Sequence, residues 1–289
     1  MNNPFQRRTG DPRPSRRLRK GMYLLPSLFT AGNMFLGFWA ILQSLQGSTA
    51  DPKHFDYAAM AIGFAVIFDG VDGTVARLTN TASDFGKELD SLADVITFGV
   101  APAVLAWMWG FRELQVAYID AEGLVRLKQI GQTVSFLFLV AGASRLARFN
   151  IQLNPQPSNP GRPGRKYFVG MPIPAGAGCL AAVVHFFKGA PMSTWWESTV
   201  WCLFVACCGF LMVSTWRFWS AKNIDWKSRQ SFRWLILVCA IFAGIFYFSR
   251  YVLAALALTY MLSGVLARLV FNLRRPAPPS APQQSSEVG

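Results

Sequence analysis

The sequence predicts an all-α protein embedded in a membrane, and three observations support this fold class. Apolar residues make up 52% of the 289 residues, whereas charged residues make up only 15%. Apolar stretches of about 20 residues, the length that a helix needs to cross a hydrocarbon layer, recur along the chain. Basic residues gather in every second connection between these stretches, as expected for loops on the cytoplasmic side of a membrane.

Eight membrane spans follow from the apolar stretches. The last two are separated by little more than Ser249 and Arg250, so one long kinked helix or a re-entrant pair is the alternative for residues 233–270. The predicted spans are 23–46, 57–78, 93–111, 130–149, 171–188, 198–217, 233–249 and 251–270.

The position of the basic residues predicts the orientation of the chain. The N-terminal arm and the alternate connections hold 22 of the 28 Lys and Arg residues. Both termini are therefore placed in the cytoplasm, which requires an even number of spans. The net charge of +13 is compatible with nucleic acid in principle. Its location beside apolar spans favours anionic lipid headgroups instead, so no nucleic-acid partner is expected.

The cysteines and histidines give no sign of a zinc site. All five cysteines fall inside predicted spans without the spacing of metal ligands, so they are expected to be small packing residues. Neither His54 nor His185 lies beside another candidate ligand. No Ser/His/Asp or Cys/His grouping suggests a covalent enzyme intermediate.

Carboxylates are concentrated where the second span ends and the third begins. Asp69 and Asp72 are three residues apart and Asp90 and Asp94 are four apart, so each pair lies on one face of its helix. The polar segment 79–86 can turn the chain and bring the two pairs together. A charge inside the bilayer costs roughly 2.5–3.5 kcal/mol, so such a cluster needs compensating cations. Oxygen ligands alone favour Mg²⁺ or Mn²⁺, and four carboxylates can hold two ions.

The spacing D-x2-D-G-x2-A-R-x8-G-x3-D-x3-D resembles the signature of the CDP-alcohol phosphatidyltransferases. Further segments, 25–41, 85–103, 144–150 and 168–178, resemble the phosphatidylserine synthase branch of that family. Ser27 departs from the pattern, because asparagine is expected after Pro26. The signature positions here are Asp69, Asp72, Gly73, Ala76, Arg77, Gly86, Asp90 and Asp94.

The resemblance implies a core of six transmembrane helices, often dimeric, with a polar cavity open to the cytoplasm. Two additional C-terminal helices would complete the eight spans. The chain then divides into a basic cytoplasmic arm (1–20), a catalytic six-helix core (21–217), two further transmembrane helices (218–271) and a disordered cytoplasmic tail (272–289). A bacterial inner membrane is the expected location, with the active site on the cytoplasmic side.

The resemblance also implies the reaction and the residues that perform it. A phosphatidyl group would pass from CDP-diacylglycerol to the hydroxyl of serine, giving phosphatidylserine and CMP. Asp69, Asp72, Asp90 and Asp94 would hold two metal ions, with Asp94 also acting as general base. The CDP-binding residues implied are Asn33, Gly73, Ala76, Arg77 and Gly86. Taken singly, Gly73 and Ala76 are also explained by helix packing, and Arg77 by a place at the membrane interface.

Three polar residues close the fourth span and are candidates for binding the acceptor. Arg145, Arg148 and Asn150 together offer a cationic pocket for the serine carboxylate. The alternative is that the two arginines only set the topology of the chain. Glycerol 3-phosphate, inositol phosphate and choline remain alternative acceptors. A divalent-cation transporter is a more remote alternative, disfavoured because the acidic unit has no second copy in the chain.

Overall fold

A computed structural model describes residues 16–79, 84–114, 120–151, 167–219 and 231–273, which form eight α-helices and one short β-ribbon. The strands β1 (Tyr167–Val169) and β2 (Arg217–Trp219) pair antiparallel, with Phe168 opposite Phe218. The helices are α1 (Arg16–Gln46), α2 (Lys53–Thr79), α3 (Asp84–Asp94), α4 (Ala101–Trp107), α5 (Ala121–Asn150), α6 (Ile173–Phe186), α7 (Trp195–Val213) and α8 (Ser231–Leu273).

Five of the described helical segments are long and apolar enough to cross a membrane. They are Leu28–Gln46, Phe85–Arg112, Ala121–Asn150, Trp195–Val213 and Cys239–Leu273, while Ile173–Phe186 is apolar but shorter. The predicted class, an all-α integral membrane protein, is therefore confirmed at this level. The division into six core spans and two more stays a prediction. The predicted span 57–78 lies within α2, but the side chains of residues 71–79 lie outside the described part.

Two helix starts show how local sequence sets the ends of the spans. Asp120 precedes α5, and its side chain accepts a hydrogen bond from the backbone N–H of Gly123. Thr194 precedes α7 and forms a capping box with Glu197, in which each side chain accepts from the other residue's backbone N–H. These caps satisfy N–H groups that have no acceptor within their own helix.

The third span contains two π-helical turns rather than one regular helix. The turn Val95–Val100 directly follows Asp94, and the backbone N–H of Ala101 donates to the carbonyl of Ile96, five residues earlier. Pro102 lies in the first turn of α4, directly after the π-helical turn, and its missing N–H removes one bond from this continuous helical stretch. The widened turn places Thr97, Phe98 and Gly99 in the buried core.

A glycine lets α1 touch this π-helical turn at backbone distance. A Cβ atom added to Gly37 would lie 2.7 Å from the Cα of Thr97, closer than real side chains allow. One turn away, the hydroxyl of Thr97 donates to the carbonyl of Asn33 over 3.1 Å. Small residues permit this kind of close helix contact. In a membrane such packing matters, because no hydrophobic force drives helices together among lipid tails.

The C-terminal helix α8 bends sharply at Phe248. The backbone there is non-helical, with φ −136° and ψ 42°. A Cβ atom added to Gly244 would lie 3.2 Å from Val252 Cγ2. Eight residues of straight helix rise about 12 Å, so only a strong bend brings these positions together. The predicted break near Ser249 and Arg250 is thus present, beginning at Phe248.

The second half of α8 runs antiparallel to α6. Ser249 hydrogen-bonds His185 near the end of α6, whereas Cys179, further back on α6, donates its thiol to the carbonyl of Ala257. Further along, Gly264 packs against the ring of Phe218 in β2. This half of α8 therefore spans the bundle from the bend to the β-ribbon.

Replacing Gly37 by alanine is expected to separate α1 from the π-helical turn, because the contact is with backbone atoms that cannot rotate away. Overpacking of this kind costs about 1–3 kcal/mol. The thermal midpoint of the purified protein in detergent should fall by several degrees. Gly63→Ala is the matched control, since no described atom lies within 4 Å of a Cβ placed there. Equal midpoints for the two variants would contradict the close contact.

Candidate active site

Three of the four predicted acidic residues meet where α2 and α3 come together. The structure brings carboxylate oxygens of Asp69, Asp90 and Asp94 within 4.8 Å of one another. Asp94 is 9% exposed, and the other two are half-buried. α2 ends at Thr79 and α3 begins at Asp84, so residues 84–86 of the predicted turn are helical, and residues 80–83 lie outside the described part. The four-residue spacing of Asp90 and Asp94 puts both acids on one face of α3, and this face meets Asp69 of α2.

The cluster carries more negative charge than its described cation balances. Arg145 of α5 attracts the carboxylate of Asp94, whereas the carboxylates of Asp69 and Asp90 repel it. The buried Oδ1 of Asp94 has no hydrogen-bond partner among the described residues. A set of carboxylate oxygens with an excess of negative charge fits a hard divalent cation such as Mg²⁺ or Mn²⁺.

The remaining signature residues are only partly described. Gly86 lies in the first turn of α3, four residues before Asp90. The backbone of residues 72–77 belongs to α2, but the side chains of Asp72, Ala76 and Arg77 lie outside the described part, as does the surrounding of Gly73. Their expected roles in metal and CDP binding stay predictions.

Asn33 of α1 is a buried amide close to this region. It is 2% exposed, and neither Oδ1 nor Nδ2 has a hydrogen-bond partner among the described residues. Leaving a buried polar group unpaired costs about 1–3 kcal/mol. The backbone carbonyl of Asn33, in contrast, accepts a hydrogen bond from the hydroxyl of Thr97, in the π-helical turn that follows Asp94. An amide in this position is suited to a polar ligand, and its expected contact with CDP stays a prediction.

A family model described as CDP-alcohol phosphatidyltransferase matches residues 23–205, and this match includes the whole acidic cluster. The chain belongs to the CDP-alcohol phosphatidyltransferase family. The match extends from α1 into α7, so α8 lies beyond it.

Relatives that this phosphatidyltransferase resembles carry a common name, CDP-diacylglycerol–serine O-phosphatidyltransferase. The protein from Helicobacter pylori (strain ATCC 700392 / 26695) is 35% identical over 268 residues, covering 89% of this chain and 98% of the relative. The Bacillus subtilis (strain 168) protein is 32% identical over 215 residues, covering 74% and 99%. The Saccharomyces cerevisiae (strain ATCC 204508 / S288c) protein is 38% identical over 143 residues, covering 49% and 46%.

The three candidate acceptor residues of this phosphatidyltransferase differ in their surroundings. Arg145 interacts electrostatically with Asp94 of the acidic cluster, and its Nε has no hydrogen-bond partner among the described residues. Arg148 donates to the carbonyls of Met212 and Val213 and so caps the end of α7. Asn150 donates to the hydroxyl of Ser91 over 2.8 Å, which joins α5 to α3. Arg148 and Asn150 therefore make structural contacts, and Arg145 remains the better placed to meet a substrate.

Tyr260 of α8 is a neighbour of this region that no sequence feature singles out. It interacts electrostatically with Arg145, and its ring centroid lies 5.7 Å from that of Phe218 in β2. In the sequence it is one tyrosine in a long apolar stretch. Only the packing of α8 on the bundle reveals that it lies beside the arginine.

The structure contains a Ser/His/Asp grouping that the sequence did not indicate, and the expectation that no covalent intermediate forms stays a prediction. Nδ1 of His185 lies 2.6 Å from Asp56 Oδ1, and Nε2 lies 2.9 Å from Ser249 Oγ. The three residues belong to three different helices and are 129 and 64 positions apart from the histidine, so sequence spacing could not reveal them. Asp56 and Asp69 are 13 residues apart on α2, about 20 Å along the helix, so this group is distant from the acidic cluster.

Asn33→Leu tests whether this amide serves ligand binding. Without substrate, an apolar residue of similar volume removes two unpaired polar atoms, so the thermal midpoint should stay the same or rise. The KM for CDP-diacylglycerol should increase about tenfold, the loss expected for one or two hydrogen bonds.

Ser44→Ala is the control, because this buried α1 hydroxyl already donates to the carbonyl of Ala40. Its KM should not change. A lower midpoint with unchanged KM in Asn33→Leu would show that the amide serves the fold instead.

Proposed function

We propose that this protein transfers the phosphatidyl group of CDP-diacylglycerol to the hydroxyl of serine, giving phosphatidylserine and CMP. The observation that carries the proposal is the approach of Asp69, Asp90 and Asp94 to within 4.8 Å, beside Arg145, in a member of this family. The names of the relatives support serine as the acceptor, since two of them align over nearly their whole length.

Asp69, Asp72, Asp90 and Asp94 are proposed to hold two divalent ions, Mg²⁺ or Mn²⁺. Bound there, such ions would neutralise negative charge on the diphosphate of the lipid as its bond to CMP breaks. Asn33, Gly73, Ala76, Arg77 and Gly86 are proposed to bind the CDP moiety. The buried, unpaired amide of Asn33 supports its part in this set.

Asp94 is proposed to act as the general base. Its Oδ1 is buried and has no described partner, so it can accept the proton of the serine hydroxyl. The serine oxygen then attacks the lipid-side phosphorus in line with the departing CMP. One phosphorus–oxygen bond forms as the other breaks, without a covalent intermediate on the enzyme.

Arg145 is proposed to bind the carboxylate of serine. A guanidinium offers paired donors that match a carboxylate, and the neighbouring acids keep this cation beside the reacting groups. Arg148 and Asn150 are proposed to support it by holding the end of α5, through their bonds to α7 and to Ser91. Choline lacks an anionic group for Arg145, whereas glycerol 3-phosphate and inositol phosphate carry one and are the alternative acceptors that need testing.

The proposed setting is a bacterial inner membrane with both termini and the active site in the cytoplasm. The alternation of basic connections supports this orientation, and the bend at Phe248 supports two spans within α8. On this view a basic arm (1–20) and a disordered tail (272–289) flank the six-helix core (21–217) and the two further helices (218–271). A homodimer surrounded by membrane lipids completes the proposal.

Purified protein given CDP-diacylglycerol and each acceptor in turn tests the reaction. Serine should give phosphatidylserine with one CMP released per lipid, and a chelator should stop the reaction until Mg²⁺ or Mn²⁺ is restored. Product from glycerol 3-phosphate but not from serine would overturn the acceptor. Divalent-ion uptake into vesicles without any CMP release would favour the transporter alternative.

Asp94→Asn should lower turnover by about 10²–10⁴-fold, because the amide keeps the volume of the side chain but cannot accept the proton. Folding and much of the divalent-ion binding should persist, measured by thermal midpoint and by Mn²⁺ titration. Asp51→Asn, which alters a carboxylate with 55% of its side chain exposed, is the control. Near-normal turnover in Asp94→Asn would refute the assigned role.

A further inference from the structure

The bond chain Asp56–His185–Ser249 lies outside the machinery described above. Asp56 is in the first turn of α2, His185 is near the end of α6, and Ser249 follows the bend in α8. The histidine joins the other two, with 2.6 Å to Asp56 Oδ1 and 2.9 Å to Ser249 Oγ. These distances lie within normal hydrogen-bond range.

The two ring nitrogens of His185 have the partners that a serine-activating histidine needs, with Nδ1 on the carboxylate and Nε2 on the serine. The carboxylate of Asp56 can only accept, so Nδ1 carries the proton and donates to it. In the neutral imidazole, Nε2 is then the acceptor for the hydroxyl of Ser249. A nucleophile bonded to a base, with the base oriented by a third group, is the geometric sign of nucleophilic catalysis on unrelated folds.

The base and the carboxylate are shielded while the serine is accessible. The side chains of His185 and Asp56 are 12% and 21% exposed. Ser249 is half-buried at the bend, between the exposed residues Phe248 and Tyr251. It also opens the second helical half of α8, where first-turn N–H groups favour a developing negative charge.

An apolar groove begins two residues after Ser249. It has a volume of about 570 Å³ and follows one face of α8 from Tyr251 and Val252 to Tyr260 and Ser263. Twelve residues of helix rise about 18 Å, a little more than half of a 30 Å hydrocarbon layer. All of its described lining residues belong to α8, so it is an open, shallow groove along one helix face, long enough for part of one extended acyl chain.

We propose that Ser249 is the nucleophile of a second reactive site, with His185 as its base and Asp56 as the residue that positions the histidine. The substrate class is a carboxylic ester whose acyl chain lies in the groove of α8. This site is about 20 Å along α2 from the acidic cluster and does not depend on phosphatidyl transfer.

The proposed reaction is hydrolysis of the ester, with water as the second reactant. The Oγ of Ser249 bonds to the acyl carbon, and its proton passes to Nε2 of His185. The bond between the acyl carbon and the alcohol oxygen breaks, and the alcohol leaves with that proton. Water then attacks the acyl-serine, His185 again moves the proton, and a carboxylic acid and free Ser249 result.

A long-chain alkyl fluorophosphonate tests the nucleophile in the intact, detergent-purified protein, with the labelled residue located by peptide mass spectrometry. Ser249 should be labelled, and Ser249→Ala should remove the label while phosphatidylserine formation continues. His185→Gln and Asp56→Asn should slow labelling about 100-fold or more. Ser193 is an internal control, since it is exposed and its hydroxyl donates to Glu197 rather than to a histidine.

Labelling of Ser193 as fast as Ser249, or unchanged labelling in His185→Gln, would overturn the proposal. So would an unlabelled Ser249 combined with a lower thermal midpoint in His185→Gln, which would assign the bond chain to stability alone.

In a second arm, a long-chain p-nitrophenyl ester should be hydrolysed faster than the acetate ester. Equal rates would show that the groove of α8 does not bind the acyl chain. Phosphatidylserine formation is measured separately, so its failure would count against the phosphatidyl-transfer proposal alone.

Discussion

The mutual repulsion of Asp69, Asp90 and Asp94 is the constraint around which the bundle is built. Two unit charges 4 Å apart repel by about 4 kcal/mol at an effective dielectric constant of 20. Oxygens of these three carboxylates lie within 4.8 Å of one another, and Asp94 is nearly buried. Helices that hold them must therefore be fixed by contacts elsewhere, and a bound cation or a proton shared between Asp69 and Asp94 would offset the repulsion. Arg145 supplies one positive charge, and the remaining excess favours divalent ions.

Rigid contacts next to Asp94 provide that fixation. The helix widens into a π-helical turn directly after this residue, and α1 touches the turn where Gly37 faces Thr97. Such turns are often found at functional sites, because they change the direction of a side chain without ending the helix. Here the turn also presents the hydroxyl of Thr97 to the carbonyl of Asn33, so the buried amide and the buried acid are held by one structural unit.

Features set by neighbouring residues could be predicted from the sequence, whereas those set by distant contacts could not. The approach of Asp90 to Asp94 follows from their spacing of four residues within α3. The break in α8 was predicted from a serine and an arginine between apolar stretches, and it begins one residue earlier. The bonds of Arg148 to α7 and of Asn150 to Ser91 join residues about 60 positions apart. The β-ribbon was missed because three-residue strands carry too little pattern.

The second half of α8 connects the two ends of the molecule. The bond between Cys179 and Ala257, with the packing of Gly264 against the ring of Phe218, fixes the register of this helix on α6 and the β-ribbon. Tyr260 follows Ser249 by 11 residues, about 16 Å of helix, and so reaches Arg145. A shift of one residue on α6 would turn the tyrosine by about 100°, away from the arginine. A helix beyond the family match thus places a side chain beside the candidate acceptor site, and its contacts with Cys179 and Phe218 keep it there.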